Sequence, residues 1–128
     1  MRNGQEMRIF KTRWFAVFAR KEGVSDAVLV KEAGKIERGE TGTALGGYVY
    51  KLRIARPGEG KSGGYRVILF FRHKNRLVFD YAYSKSQKDN ISEKELRILK
   101  GIAKDFMNST NEHISFRLKK MELEEIKT

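Results

Sequence analysis

Alternation of apolar and polar residues is clearest in the middle of the chain. In "YVYKLRIA", Tyr50, Leu52 and Ile54 fall on one face of a strand and Lys51 and Arg53 on the other. The run "GYRVILFFRHKNRLVFDYAYS" reads as two strands with a turn near His73 to Asn75. Val67, Leu69 and Phe71 share one face there, and Arg66, Ile68 and Phe70 the other. Three strands in series with short connections predict an antiparallel meander. Before them the period is helical. "RIFKT" (Arg8 to Thr12) reads as a short strand, and "TRWFAVFARKEG" as a helix capped by Thr12 and stopped by Gly23. Trp14, Phe15, Val17 and Phe18 are expected in its core face. Ser25 caps a second helix, in which Leu29, Ala33 and Ile36 recur at helical spacing and which Gly39 ends. "GETGTALGG" is expected to be a loop. After the strands, Ser92 and Glu95 form a capping box with Ile91 and Leu96 as its staple. Leu96, Leu99, Ile102, Ala103 and Phe106 form the expected buried stripe of that helix. "EHISFRLKKMELEEIKT" predicts a short helix and a terminal extended piece.

With 128 residues, the chain is expected to form a single domain, 1–128, with a core over 8–107 and a C-terminal extension over 108–128. Hydrophobic residues make up 40% and charged residues 34%, a balance that suits a folded chain. The absence of cysteine excludes a disulfide framework, a thiol nucleophile and a cysteine-based zinc site. No apolar run approaches the length of a transmembrane helix, and the first residues lack a signal peptide's apolar block. A cytoplasmic location, with no membrane partner, is the expectation.

Charge changes the picture most. There are 27 Lys and Arg against 16 Asp and Glu, a net +11. Between Tyr48 and Lys88 stand ten cations, opposed only by Glu59 and Asp80, so this segment holds +8. Positive charge interleaved with Tyr and Phe points to a polyanion, most simply nucleic acid.

Within that segment, "ARPGEGKS" fits a relaxed phosphate-binding P-loop. A working P-loop opens a helix whose N-terminal N–H groups face the phosphates. Here Gly63, Gly64 and the strand "YRVILFF" follow instead, so the stretch is expected to be a hairpin loop, with no nucleotide cofactor. Pro57 cannot donate to a ladder, and the glycines permit positive φ angles. The loop joins the strand of Lys51 and Arg53 to that of Arg66, with Lys61 at its tip.

"YKLRIARPGEGKSGGYRVILFFR" followed by "YAYSKSQKDNISEKEL" resembles the RelE/HigB-like toxins of bacterial toxin–antitoxin pairs, in particular a branch with this loop and a "K...DNIS" segment. "FKTRWFAVFARKEGVSDAVL" and "ERGETGTALGG" resemble the same branch. The resemblance implies an α+β, microbial ribonuclease-like fold. Its features are a curled antiparallel sheet of about four strands, two N-terminal helices packed on it and a C-terminal helix. It implies a toxin that cuts mRNA, usually in the ribosomal A site. A cognate antitoxin, often a helix-turn-helix protein, would neutralise it. By position, Lys51, Arg53 and Arg66 match the residues that hold the scissile phosphate. Where many relatives carry an arginine after the last strand, this chain has Ser86, flanked by Lys85 and Lys88; where some carry a tyrosine, it has Ser92.

RNA can be cut without metal when its own 2′-hydroxyl attacks phosphorus. The reaction needs a base, an acid for the leaving oxygen and positive charge on the phosphoryl oxygens. His73 sits in a turn and His113 in a mixed-charge tail, and neither suits that work. A lysine crowded by cations gives up its proton more readily, which makes Lys51 the candidate base and Lys85 or Lys88 the candidate acid. Arg53 and Arg66 have the planar fork for bidentate phosphate contacts. Arg56, Lys61 and Lys88 are expected along the RNA path, with Tyr83 and Tyr81 as stacking surfaces or sheet packing. Asp80 and Glu59 do not form a metal cluster, so no metal is expected. Two rival readings remain open: a non-catalytic nucleic-acid or ribosome binder, and a ParE-like inhibitor of DNA gyrase.

Overall fold

The computed structural model describes residues 7–58, 63–88 and 90–128. β1 (Arg8–Thr12) leads directly into α1 (Arg13–Glu22), because Thr12 Oγ1 accepts from the Phe15 N–H at 3.1 Å and caps the helix. Gly23, at φ 73°, ends it in the left-handed conformation that glycine adopts at little cost. Ser25 caps α2 (Asp26–Glu37) in the same way, through the Val28 N–H. There follow β2 (Thr43–Gly46), β3 (Val49–Ile54), β4 (Tyr65–Arg72) and β5 (Arg76–Ser84). The capping box of Ser92 and Glu95 starts α3 (Glu93–Asn108), and α4 (Asn111–Lys119) and β6 (Leu123–Ile126) complete the order.

The strands form one curled sheet in the order β2-β3-β4-β5-β1-β6. The fold class is α+β as expected, but among the described residues the sheet has six strands rather than about four, and it is mixed. β1 runs parallel to β5, pairing Arg8 with Arg76 through Lys11 with Phe79. The other ladders are antiparallel. One extra strand lies in the segment expected as a loop. Gly46, Gly47 and Tyr48 all take positive φ, at 91°, 58° and 70°, and turn Thr43–Gly46 back against β3. The other, β6, brings the C-terminal segment onto β1.

Each face of the sheet has its own core. α1 and α2 cover one, with Phe15, Leu29, Ala33 and Ile36 against Leu52, Leu69 and Phe79. α3 and α4 cover the other, with Phe106, Met107 and Ile114 against Phe10, Phe70 and Val78. Phe10, Phe15, Phe70 and Phe79 are fully enclosed, each contributing roughly 2–3 kcal/mol of apolar transfer. Arg76, itself buried, fixes the far end of α3 by donating to the Phe106 and Ser109 carbonyls at 2.5 and 2.9 Å.

Two expected core stripes are only half buried. On α1, Phe15 is enclosed, but Trp14 and Val17 are 48% and 52% exposed. The helix sits where β1 has ended, so its first turn overhangs β5 rather than lying flat on a strand pair. On α3, burial is confined to Ala103, Phe106 and Met107. Ile102 is 40% exposed, and Leu96 and Leu99 are partly covered, because only the second half of the helix rests on β3 and β4.

Candidate active site

Strand periodicity places Lys51 and Arg53 on the α3 side of β3, two residues apart. On β4 the same side carries Arg66 and Ile68. The ladders then align Arg53 with Arg66 and Arg66 with Tyr83 in one row across three strands. The next row is Lys51, Ile68 and Tyr81. A β-bulge makes this alignment. Ile68 pairs with Tyr81 but Leu69 pairs with Phe79, so Asp80 is the extra residue and the alternation of β5 shifts by one.

Lys51, Arg53 and Arg66 line one cleft of about 480 Å³, together with Thr41 and Thr43. Arg53 is exposed and Lys51 half-buried, whereas Arg66 is only 8% exposed. Its Nη1 is buried and has no hydrogen-bond partner among the described residues, and the same holds for the Thr41 and Tyr83 hydroxyls. A buried donor left unmet costs about 1–3 kcal/mol, more when charged. The fold therefore holds a guanidinium beside this cleft with hydrogen-bonding capacity in reserve, the property an anion receptor needs.

The remaining expected residues are dispersed. Tyr83 is 2% exposed, and Lys88 Nζ lies 5.6 Å from its ring centroid. The ring has no open face, so Tyr83 is not a stacking surface in this structure. Burial pushes its phenol up, against the pull of Lys88 and Arg66. Lys88 is ion-paired with Glu95, whose hydrogen bond holds the ammonium above its ordinary range. In return, Lys88 and the Ser92 backbone hold the Glu95 carboxyl down at about 2. Lys85 is exposed in the turn that follows β5, beside Ser86, whose hydroxyl pairs with that of Ser84 at 2.9 Å. Arg56 faces the opposite side of the sheet. Its Nε donates to the Tyr65 hydroxyl at 3.2 Å, and Tyr65 in turn donates to Glu22 at the end of α1. Lys61 lies outside the described residues. His73 is a surface residue next to Glu37, and His113 is exposed on α4, so neither histidine reaches the cleft.

The hairpin architecture rather than a P-loop is plain from the register. Val49 to Ile54 run antiparallel to Phe70 to Tyr65, and a strand, β4, follows Gly64 where a P-loop would open a helix. Gly64 is required for a different reason from the expected one. It does not take a positive φ; instead, a Cβ there would stand 2.1 Å from the Ile54 carbonyl oxygen. Its smallness lets the two strands close at the base of the loop.

Sequence reasoning missed Thr41 and Asp80. Nothing in "GETGTALGG" marks one threonine as half-buried at a cleft with its hydroxyl enclosed. Asp80 had a faint signal: in "VFDYAY" the two inward residues, Phe79 and Ala82, are three apart rather than two. Burial pushes the Asp80 carboxyl up to about 6. Among the described residues no three of His, Cys, Asp or Glu gather where they could share an ion, and no helix is long and apolar enough to cross a membrane.

A family model described as the RelE toxin of the RelE/RelB toxin–antitoxin system matches residues 7–126. No curated protein gives a significant match to the chain.

Proposed function

The chain belongs to the RelE toxin family, and from that premise we propose that it is a ribosome-dependent endoribonuclease that stops translation by cutting mRNA. Membership implies a toxin with a cognate antitoxin as its partner. The observation that carries the finer reading is Arg66. A nearly enclosed guanidinium, with one nitrogen unpartnered among the described residues, stands in a row with Arg53 and one step from Lys51, at a single cleft.

In the proposed reaction the 2′-oxygen of a nucleotide attacks the adjacent phosphorus, and the bond to the 5′-oxygen breaks. The products are a 2′,3′-cyclic phosphate and a 5′-hydroxyl. Lys51 takes the 2′ proton. Arg53 and Arg66 hold the phosphoryl oxygens as negative charge grows, and their fixed placement avoids reorganisation during the step. Lys85, on the turn beyond β5, gives a proton to the leaving oxygen. Lys88 stays cationic against Glu95 and adds positive field beside Tyr83. The chemistry needs no cofactor.

The test is a reporter mRNA in a translating extract, with its ends mapped by primer extension. New ends within codons, dependent on ribosomes, support the reading. Intact mRNA with inhibited DNA gyrase would replace it with the gyrase alternative, and intact mRNA bound to ribosomes with the non-catalytic one.

A further inference from the structure

Asp80 is the residue that the β5 ladders skip. Ile68 lies opposite Tyr81 and Leu69 opposite Phe79, with Asp80 bulged between them. Bulges re-aim a side chain and are over-represented beside active sites. This one places Asp80 in the lining of a pocket of about 420 Å³ between β5 and the first half of α3. Thr12 Oγ1 donates to the Asp80 main-chain carbonyl at 2.9 Å, but the carboxyl has no hydrogen-bond or ion-pair partner among the described residues. That is unusual on a chain with 27 Lys and Arg. Trp14 and Tyr81, with ring centroids 4.8 Å apart, form one wall of the pocket, and Ile98 and Leu99 of α3 form the other. Trp14 is half exposed and Ile98 more than half, so apolar surface is left uncovered around a carboxylate. Glu95, the second carboxylate in the lining, is already held by Lys88 and the Ser92 N–H.

We propose that this pocket selects a base beside the cut, with Asp80 as the specificity-determining residue and guanine as the base it takes. The Watson–Crick edge of guanine presents two adjacent donors, N1–H and the N2 amino group, and the two oxygens of a carboxylate accept both. Adenine and cytosine set a ring-nitrogen acceptor beside their amino group, and uracil flanks its N3–H with two carbonyls, so each turns lone pairs toward the carboxylate. The aromatic and apolar walls suit the faces of a planar ring. Position argues for RNA as the occupant. Tyr81 closes the row Lys51, Ile68, Tyr81, two strand spacings or about 10 Å from Lys51. A nucleotide with its phosphate at the cationic cleft therefore has this pocket within reach of its base. The place of the pocket in the reaction rests on the ribonuclease reading, whereas the selective binding does not.

Trp14 is the only tryptophan of the chain, so its fluorescence reports on the pocket directly. The probes are uridine oligoribonucleotides carrying one guanosine, adenosine, cytidine or inosine, the last keeping N1–H but lacking the N2 amino group. The guanosine oligomer should quench Trp14 and bind about tenfold more tightly than each of the others. Asp80→Asn, which presents one acceptor and one donor, should lose that preference and turn to adenosine or cytidine. In a translating extract, the mRNA ends left by the parent should adjoin guanosine, and those left by Asp80→Asn adenosine or cytidine. Equal affinity for all the oligomers, or a guanosine preference that survives in Asp80→Asn, would overturn the proposal. So would an equal rise for every oligomer in Asp80→Asn, which would reduce Asp80 to a charge effect. Unchanged base preference together with a weakened antitoxin complex would also overturn it, and would make the pocket a seat for a guanidinium of that protein. Should Asp80→Asn fail to fold, the comparison of guanosine with inosine on the parent chain decides. A chain that binds guanosine selectively but leaves mRNA intact on ribosomes loses the ribonuclease reading and keeps the pocket.

Discussion

Arg66 and Tyr83 face each other across β4 and β5, and each buries a polar atom that no described residue satisfies: a guanidinium nitrogen and a phenol. Two unmet groups in one cross-strand pair mark a place where folding has left capacity for a ligand.

Removing the cations should therefore abolish function before it harms the fold. Lys51→Ala, Arg53→Ala and Arg66→Ala are each expected to relieve growth arrest. Loss of one fixed donor to developing charge costs about 3 kcal/mol, on the order of a hundredfold in rate. Arg66→Lys should rescue poorly, since a point charge cannot reproduce the planar fork. Growth curves at matched expression, with circular dichroism melts, check this. Full toxicity in all three alanine variants would place the site elsewhere.

Tyr83→Phe separates stability from activity at the same pair. Deleting a buried hydroxyl that lacks a partner should raise stability by about 1 kcal/mol. Cleavage should slow, because the hydroxyl would no longer be there for the bound RNA. A urea titration beside a cleavage assay reads both. Lower stability would mean that the hydroxyl already has a partner in the folded chain.

Gly64→Ala should be severely destabilising. The added methyl would stand 2.1 Å from the Ile54 carbonyl oxygen, and backbone on both strands must move to relieve it. Overpacking of this kind costs about 3 kcal/mol or more. A wild-type urea midpoint for Gly64→Ala would contradict the close approach.

Asp80 gives the pH dependence a definite sign. Its folded carboxyl is pushed up to about 6 by burial, from an ordinary 3.8. Between those values the native state binds the extra proton, so Asp80 makes stability fall as pH rises from about 4 to 6. The penalty is complete above 6 and, on that shift, amounts to about 3 kcal/mol at most. Asp80→Asn should be more stable than the parent at pH 8 and no more stable at pH 4. Parallel urea titrations at the two pH values test it.

Affinity for single-stranded RNA should depend steeply on salt. If the cleft and its margins engage about four phosphates, log affinity falls with log salt at a slope near −3. Free RNA and ribosomes must be titrated separately, since ribosomal RNA adds contacts of its own. A slope near zero would remove the polyanion argument.

Local chemistry alone determined much of this protein. Thr12, Ser25 and the Ser92–Glu95 box start their helices through bonds within a few residues, so those boundaries are written in adjacent letters. Alternation in β3 and β4 likewise put Lys51, Arg53 and Arg66 on one side of a hairpin. Relations between distant segments were decided by the tertiary structure. The parallel pairing of β1 with β5 joins residues nearly seventy positions apart, and no local pattern encodes it. It leaves the end of β5 open and lifts Trp14 and Val17 out of the core. The bulge at Asp80 arises from fitting β5 to β4, and it turns Tyr83 inward beside Arg66. Arg56, three residues from Arg53, is drawn to the opposite face by Tyr65 and Glu22. Charge and periodicity name the groups that can act, but burial and ion-pair partners depend on which surfaces meet, and that is settled only when the sheet closes between its two layers of helices.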